Sequence, residues 1–399
     1  MSMHALSTLS RRRLLGTAAA ASAFAPALAF GQAKPELGSP PTVISQPPRR
    51  WGPGAPPQIY PDPDVLVIDS SFNQYLVGLD AMHRLHTGFQ WAEGPAWSSQ
   101  GEYVVFSDVK GNTQYRYIWE SGRTDPFRVP SYNSNGNSFD FQGRQLSTQD
   151  FFRRVIRWEM NGSMTVIADS FEGKPLNSPN DLVPHPDGSI WFTDPPYGAL
   201  ISEGHPDVAG GGANPNGLYD PNVGDFGIGL PSAAKQVLPT NTYRWDPSGS
   251  LDVVVPGDQV PNPNGLCFSP DYKTFYLIST GPAPWQTAGG KGNIYAFDVQ
   301  DKKLANMRQF SDCMVDGVLC GPDGMRADRA GNLWVGSNAP LGYAGVTVWN
   351  PAGKLIGRIR LPEICANVCF AGPKRDFLFM AGSQSLYALY TGVQGAGPG

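Results

Sequence analysis

The chain has 399 residues, of which 41% are hydrophobic and 16% charged, so it can form a large core without a disulfide or a metal. Glycine (47) and proline (38) make up about a fifth of the chain without the strict glycine period of collagen. Because both residues interrupt helices and favour turns, and because 11% of the residues are aromatic, the composition favours an all-β protein. The net charge of −4 argues against a nucleic-acid partner.

The N-terminal segment predicts export. The run from Ser10 to Leu15 contains three arginines followed by two leucines, and an Ala-rich apolar stretch then continues to about Ala29. This pattern indicates a signal peptide of the twin-arginine type over residues 1–33, with an ordinary secretory signal or a membrane anchor as the alternatives. The apolar stretch is too short to span a bilayer. We therefore expect a periplasmic or secreted bacterial protein that keeps no stable membrane anchor once the signal is cleaved.

Six copies of one short pattern predict the fold. Each copy is a turn rich in Pro, Asp, Gly or Ser, followed by a strand of alternating aromatic and β-branched residues. The spacing of the copies leaves room for four short strands in each, and a four-stranded sheet cannot cover both of its own faces. The sequence therefore predicts an all-β, six-bladed β-propeller with four-stranded blades, since a β-sandwich would not repeat one turn at such long intervals. The six turns lie at residues 98–101, 141–144, 186–188, 270–273, 328–331 and 372–375.

The repeats also set the domain boundaries. The predicted propeller covers residues 64–393, and a Pro-rich linker at residues 34–63 joins it to the signal peptide. The longest gap between turns contains a Gly-rich insertion at about residues 201–232. We expect this insertion to act as a lid over the site, with a mobile surface loop as the alternative.

The chain has five cysteines, so an exported protein would keep at least one of them unpaired. Cys313 and Cys320, and likewise Cys365 and Cys369, are close enough in sequence to form disulfides. Cys267 lies in an apolar strand context, where we expect a buried free thiol.

Each of the six turns is preceded, five or six residues earlier, by a side chain that carries an oxygen. If every copy occupies the same place in its blade, these groups converge at one mouth of the central channel. Carboxylate and amide oxygens are typical ligands of a hard divalent cation, so we expect one metal ion, with Ca²⁺ favoured and Zn²⁺, Mn²⁺ or Mg²⁺ as alternatives. Asn-Gly and Asp-Gly pairs also occur in turns for backbone reasons alone, but glutamate is a poor turn former. The six residues are Glu93, Asn135, Asn180, Asn264, Asp323 and Asn367.

Seven motifs, taken in order, resemble the SMP-30/gluconolactonase/LRE-like family over roughly residues 85–390. The resemblance implies a six-bladed propeller with one divalent metal, whose ligands match Glu93, Asn264 and Asp323. It also implies that Asn180 binds the metal or the substrate. The motifs are Glu93-Gly94-Pro95, Phe106-Ser107-Asp108, Asn133-Ser134-Asn135-Gly136, Leu176 to Leu182, Phe192 to Gly198, Pro263 to Leu266 and Pro322 to Met325.

Two segments depart from the family pattern. Thr148 to Phe152 precede the paired Arg153 and Arg154, where the family often has a Glu-His-Gly-like stretch, and the Gly-rich insertion follows Gly198. We expect both segments near the substrate. The resemblance therefore leaves the identity of the lactone open.

The sequence as a whole predicts an exported, metal-dependent hydrolase of sugar lactones or related cyclic esters. Glu93, Asn180, Asn264 and Asp323 are the predicted metal ligands, and Asp323 is also the candidate general base or the group that orients the attacking water. Asn135 and Asn180 are predicted contacts to substrate hydroxyls. The alternatives are a non-catalytic, calcium-stabilised propeller that binds a ligand, and a related hydrolase of organophosphates or other strained esters.

Overall fold

The computed structural model describes residues 49–195, 197–198, 237–280 and 290–398. The predicted signal peptide at 1–33, the first half of the linker at 34–63 and the predicted insertion at 201–232 lie outside these residues and stay predictions. Regular structure in the described part is almost entirely β, with one short 3₁₀ helix at Ser70–Tyr75. None of the described helices has the length and apolar character needed to cross a membrane.

The described strands are numbered here in chain order. They are β1 Val65–Val67, β2 His83–Thr87, β3 Ala92–Ser98, β4 Tyr103–Asp108, β5 Thr113–Ile118, β6 Arg123–Arg128, β7 Ser134–Phe139, β8 Gln145–Gln149, β9 Arg154–Trp158, β10 Met164–Ala168, β11 Ser170–Phe171, β12 Lys174–Pro175, β13 Leu182–Pro184, β14 Ile190–Thr193, β15 Thr242–Trp245, β16 Leu251–Val255, β17 Pro263–Phe268, β18 Thr274–Ser279, β19 Asn293–Gln300, β20 Lys303–Ser311, β21 Met314–Val315, β22 Val318–Leu319, β23 Gly321–Ala327, β24 Leu333–Asn338, β25 Gly345–Trp349, β26 Leu355–Arg360, β27 Cys365–Ala371, β28 Phe377–Gly382 and β29 Ser385–Tyr390.

These strands form the six antiparallel blades of a β-propeller, which confirms the predicted fold. Blades one to four are β3 to β6, β7 to β10, β13 to β16 and β17 to β20. Blade five is β23 to β26, with β1 added as a fifth, outer strand. Blade six takes β27, β28 and β29 from the C-terminal end of the chain and β2 from the N-terminal end. The pairing of β2 with β29 therefore closes the ring of blades.

The six predicted turns connect the innermost strand of each blade to the next strand, and Asp328 shows why their composition recurs. Its Oδ1 accepts the backbone N–H of Ala330 and of Asn332, each at 2.9 Å, and its Oδ2 accepts the indole N–H of Trp334 at 2.9 Å. Asp and Asn side chains replace the missing backbone acceptors in such turns. The turn signature therefore also anchors the large aromatic residue of the following strand.

The apolar core lies between blades rather than in one central mass. Buried hydrophobic clusters join blades five and six, six and one, four and five, two and three, and three and four. A smaller cluster, centred on Ala96, Val105 and Phe139, joins blades one and two. Each blade therefore covers one face of its neighbour, which is the packing expected of a closed propeller.

The cysteines form no disulfide in the structure. All five are buried free thiols, as predicted only for Cys267. Cys313 and Cys320 flank the hairpin of β21 and β22, where the N–H of Cys320 donates to the carbonyl of Cys313 at 3.0 Å. Cys365 and Cys369 both lie in β27.

Candidate active site

Five of the six oxygen-bearing residues predicted to converge share one position near the start of the innermost strands, at one end of the central channel. They are Glu93, Asn135, Asn180, Asn264 and Asp323, here called the mouth ring, and each is at most 4% exposed. Four lie near the start of β3, β7, β17 and β23, and Asn180 lies two residues before β13. In β7, β17 and β23 the ladder shifts register around the ring residue. Such bulges are a common device for re-aiming a side chain.

Glycine follows four of the ring residues, and at three of these glycines neighbouring blades approach each other backbone to backbone. A Cβ added at Gly136 would overlap the carbonyl oxygen of Asn180, and one at Gly265 would overlap that of Asp323. Gly94 packs in the same way against the next blade. These glycines lie in strands and not in turns. The turn interpretation of the Asn-Gly and Asp-Gly pairs is therefore wrong for this chain.

This packing predicts that Gly265→Ala destabilises the protein by about 2 kcal/mol or more, because the new methyl group overlaps backbone that cannot rotate away. Gly78→Ala is the matched control, since no atom lies within 4 Å of a Cβ at that position, and we expect it to change stability by less than about 0.5 kcal/mol. Urea unfolding of both variants measures the difference. If Gly265→Ala and Gly78→Ala had the same free energy of unfolding, the blades could move apart at the ring without losing stability.

The carboxyl group of Asp323 is held by two amides. Nδ2 of Asn338 donates to Oδ2 of Asp323 at 2.8 Å, and the side chain of Asn264 also hydrogen-bonds the carboxyl group. Nδ2 of Asn264 donates in turn to the hydroxyl of Thr280 at 2.9 Å. Burial raises the pKa of Asp323 well above its ordinary value, and the negative charge of Asp181 raises it further. In the part of the chain that the structure describes, no cationic side chain offsets these effects on Asp323.

The two ring carboxylates belong to blades one and five, on either side of blade six. Charges on Glu93 and Asp323 both contribute to raising the pKa of the buried Cys365 thiol, after burial itself, so both carboxylates lie within electrostatic reach of that residue. Among the described residues, no group of three or more His, Cys, Asp or Glu side chains is placed to hold a metal. The mouth ring instead offers two carboxylates and three amides, a donor set of oxygens that fits a hard cation such as Ca²⁺.

The sixth predicted residue, Asn367, is out of phase with the ring. A Cβ at Gly324 would overlap the Asn367 side chain, just as one at Gly136 would press on Asp181 in blade three. The Oδ1 atoms of Asn367 and Asp181 each accept the N–H of the following residue at 2.8 Å. Asn367 therefore takes the place of the ring glycines, and Ala366 occupies the ring position of blade six.

Asp181, Arg326 and Asn367 form a buried polar group, here called the channel cluster, that sequence analysis missed. The guanidinium of Arg326 donates to the two carboxylate oxygens of Asp181 at 3.3 and 3.5 Å, and Nδ2 of Asn367 donates to Asp181 Oδ2 at 3.4 Å. The Arg326 and Asp181 side chains are 7% and 1% exposed. The one signal in the sequence was Asp181 itself, which follows its ring residue where glycine follows the other four.

Blades two and three bring further polar residues to the mouth. The N–H of Asn177 donates to Oδ2 of Asp194 at 2.8 Å, and Nε of Arg153 donates to the carbonyl of Asn177 at 2.7 Å. Burial raises the pKa of Asp194 to about 7, and the charge of Arg153 opposes this shift. A Cβ at Gly198 would press on the carboxyl group of Asp150. The segment from Thr148 to Phe152, which departs from the family pattern, therefore borders the mouth and packs against the motif that contains Gly198.

Comparison with known proteins agrees with this arrangement. The family model of the SMP-30/gluconolactonase/LRE-like region matches residues 91–384. The chain belongs to this family. It is similar to a gluconolactonase from Zymomonas mobilis, with 28% identity over 324 residues that cover 76% of this chain and 79% of the relative. The family predicted from the motifs is therefore confirmed.

Two solved structures share the fold. A gluconolactonase from Xanthomonas campestris has a TM-score of 0.67 and 29% identity, over 86% of this chain and 98% of that one. A calcium-binding protein, regucalcin, from Agrobacterium tumefaciens has a TM-score of 0.59 and 17% identity, over 80% of this chain and 96% of that one. The second likeness concerns the fold alone.

Proposed function

We propose that the protein hydrolyses sugar lactones or related cyclic esters with the help of one divalent cation held in the mouth ring. The observation that carries this proposal is the placement of Glu93 and Asp323, two buried carboxylates, among amide donors at one mouth of the channel. Burying carboxylates is unfavourable unless a positive charge balances them. The two similar gluconolactonases support a lactone as the substrate.

Glu93, Asn264 and Asp323 would hold the cation, with Asn180 as a fourth ligand. Oxygen ligands of this kind favour Ca²⁺ over metals that prefer sulfur or imidazole. When bound, the cation would supply the positive charge that polarises a lactone carbonyl and stabilises the developing oxyanion.

Asp323 is the proposed general base, or the group that orients the attacking water. Its hydrogen bonds to Asn338 and Asn264 fix the carboxyl group before the substrate arrives. As base, it would take a proton from water while the water oxygen bonds to the carbonyl carbon; the ring C–O bond then breaks, and the leaving oxygen takes up a proton. Asn135 and Asn180 are proposed to hydrogen-bond the hydroxyl groups of the substrate.

Acid release from a substrate panel tests this function. The panel contains glucono-δ-lactone, an unsubstituted alkyl lactone and the organophosphate ester paraoxon, each with purified protein and Ca²⁺. We expect lactone hydrolysis well above the spontaneous rate. Turnover of paraoxon alone would indicate an organophosphate hydrolase, and binding of lactones without turnover would indicate a binding protein. Either result would overturn the proposal.

We further propose that the protein is exported by the twin-arginine route, a proposal supported by the N-terminal sequence alone. Replacing both Arg11 and Arg12 by lysine should leave the uncleaved precursor in the cytoplasm, because the paired arginines are what the pathway recognises. Arg13→Lys is the control and should be exported normally. Fractionation followed by immunoblotting measures the outcome. Normal export of the double variant would count against this route.

A further inference from the structure

Three aromatic residues form a small exposed cluster, here called the aromatic shelf. The ring centroids of Tyr132 and Phe152 are 4.9 Å apart, those of Phe151 and Phe152 are also 4.9 Å apart, and those of Tyr132 and Phe151 are 6.2 Å apart. Tyr132 is 39% exposed and Phe152 is 41% exposed. Large aromatic side chains that stay exposed together on a folded protein often mark a ligand-binding surface.

The aromatic shelf lies at the same end of the channel as the mouth ring. Ser134 pairs with Gln149 at the mouth end of the ladder between β7 and β8. The pairing then continues past β7 and β8, since the N–H of Phe151 donates to the carbonyl of Tyr132 at 3.3 Å. Tyr132 also precedes the ring residue Asn135 by only three positions. The shelf is therefore the part of blade two that extends beyond the ring.

The backbone under the shelf is strained and firmly held. Tyr132 and Asn133 have φ values of 60° and 50°, a region that bulky residues rarely occupy. The N–H of Asn133 donates to Oδ1 of Asn112 at 2.9 Å, and its side-chain amide donates to the carbonyl of Val109 at 2.8 Å. Backbone strain of this kind persists only where the surroundings impose it, and it concentrates at functional sites.

A second contact fixes the other half of the shelf. The guanidinium of Arg154 lies 4.3 Å from the ring centre of Phe152, a cation–π distance. Nε of Arg154 also donates to Oε1 of Gln149 at 2.7 Å. Both exposed rings are therefore held in place before any ligand binds.

A cavity of about 430 Å³ adjoins Tyr132, between the outer strands of blades one and two. It reaches from residues 129–132 on the mouth side to Trp158, which lies at the opposite end of β9. This volume lies within the range of small-molecule sites, roughly 300–1,000 Å³. Five of its nine lining residues are aromatic or apolar, and the other four are polar or charged; they include Tyr132, Phe127, Pro130 and Trp158, together with Arg128 and Gln149. If a substrate binds in the mouth ring and its apolar substituent extends past Tyr132, the substituent therefore enters this cavity.

We propose that the aromatic shelf and its adjoining cavity form a subsite for an apolar alkyl or aryl substituent on the lactone ring. The inference rests on the proposed lactonase function and deepens it by naming the substrate class. The mouth ring binds the ester, while Tyr132 and Phe152 cover the substituent. The favoured substrates are then lactones with an apolar substituent, such as δ-decalactone. δ-Valerolactone, which has the same six-membered ring without a substituent, should be a poorer substrate.

Steady-state kinetics with these two lactones and glucono-δ-lactone test the subsite. Phe152→Ala should raise KM for δ-decalactone about tenfold with little change in kcat, because the lost contact holds the substituent equally in the ground and transition states. The same variant should leave KM for δ-valerolactone and glucono-δ-lactone within about twofold. Tyr132→Ala should show the same selectivity.

Phe141→Ala is the matched control. Phe141 is also an exposed phenylalanine of blade two, at 48%, but it lies in the turn between β7 and β8, at the far end of the blade. It should leave all three KM values unchanged. Thermal melting curves confirm that each variant is folded, and Phe152→Leu, which keeps an apolar side chain, should recover part of the affinity for δ-decalactone.

The two proposals fail differently. If the wild-type protein hydrolyses glucono-δ-lactone and δ-valerolactone but Phe152→Ala and Tyr132→Ala leave KM for δ-decalactone unchanged, the subsite is refuted and the lactonase function stands. If the wild-type protein hydrolyses none of the three lactones, the lactonase function itself is refuted. A loss of activity that is equal for all three substrates would show a structural role for the shelf and would also overturn the subsite.

Discussion

Asp323→Asn is expected to lower kcat/KM for glucono-δ-lactone by about 10²–10⁴-fold, the range typical for loss of a general base. The substitution keeps the size of the side chain but removes the negative charge at the mouth ring, so the ring should also bind Ca²⁺ more weakly. Without added Ca²⁺, stability should not fall, because burial raises the pKa of this carboxyl group and so disfavours its charge. With Ca²⁺ present, the variant should gain less stability from the cation than the wild type does. Acid-release assays and thermal melting measure the two effects.

Asp298→Asn is the control for loss of a carboxylate. Asp298 lies in β19, is 41% exposed and pairs with Arg308 at 2.8 Å on the surface. Its removal should leave kcat/KM unchanged and alter stability by less than about 1 kcal/mol. If Asp323→Asn retains wild-type kcat/KM, Asp323 is neither the base nor a required ligand.

Arg326→Met is expected to lower the free energy of unfolding by about 3–5 kcal/mol, the usual effect of leaving one partner of a buried ion pair without its counter-ion. Among the described residues, Asp181 would then keep Asn367 and a backbone N–H as hydrogen-bond partners for its buried charge. Methionine fills a volume similar to that of the arginine stem, so the effect comes from the charge and not from a cavity. Urea unfolding with the wild type as reference measures it.

The double variant Asp181→Asn, Arg326→Met separates charge from packing. Removing both charges should recover most of the lost stability, since neutral replacements of buried ion pairs are often tolerated. Arg308→Met, which breaks the exposed pair with Asp298, should have an effect below about 1 kcal/mol. If Arg326→Met is no worse than Arg308→Met, the channel cluster adds nothing to stability.

The architecture of the propeller was predictable because each blade repeats one local signal. A turn of the Asp328 type needs only side chains close in sequence, and Asp140 of blade two accepts the backbone N–H groups of Gln142 and Arg144 in the same way. The outer strands were harder to assign, because their partners lie far away in the chain. Nothing near β1 shows that it joins blade five, and β2 meets β29 only when the ring closes, across about 300 residues.

The site was predictable in part for the same reason. Glu93, Asn135, Asn180, Asn264 and Asp323 each lie five or six residues before a turn, and the structure places all five at one mouth. The phase of Asn367 was misjudged because a bulge shifts the register of an innermost strand by one residue without any mark in the sequence.

The channel cluster and the disulfides show a second limit of sequence reasoning. Asp181 and Arg326 lie 145 residues apart, so their pairing depends on the closed ring and on no local pattern. Closeness in sequence likewise suggested bridges for Cys313 with Cys320 and for Cys365 with Cys369, whereas all of these residues are free thiols in the structure. Geometry, and not spacing alone, decides whether two cysteines can pair.

The central claim is that lactone hydrolysis depends on one divalent cation in the mouth ring. It is tested most directly by the rate of glucono-δ-lactone hydrolysis by chelator-treated wild-type protein as Ca²⁺ is added back. We expect activity to be lost on chelation and to return along a single-site saturation curve, and Glu93→Gln to shift that curve to much higher Ca²⁺ concentrations. Full activity in the chelated protein, or the same Ca²⁺ dependence in Glu93→Gln, would contradict the claim.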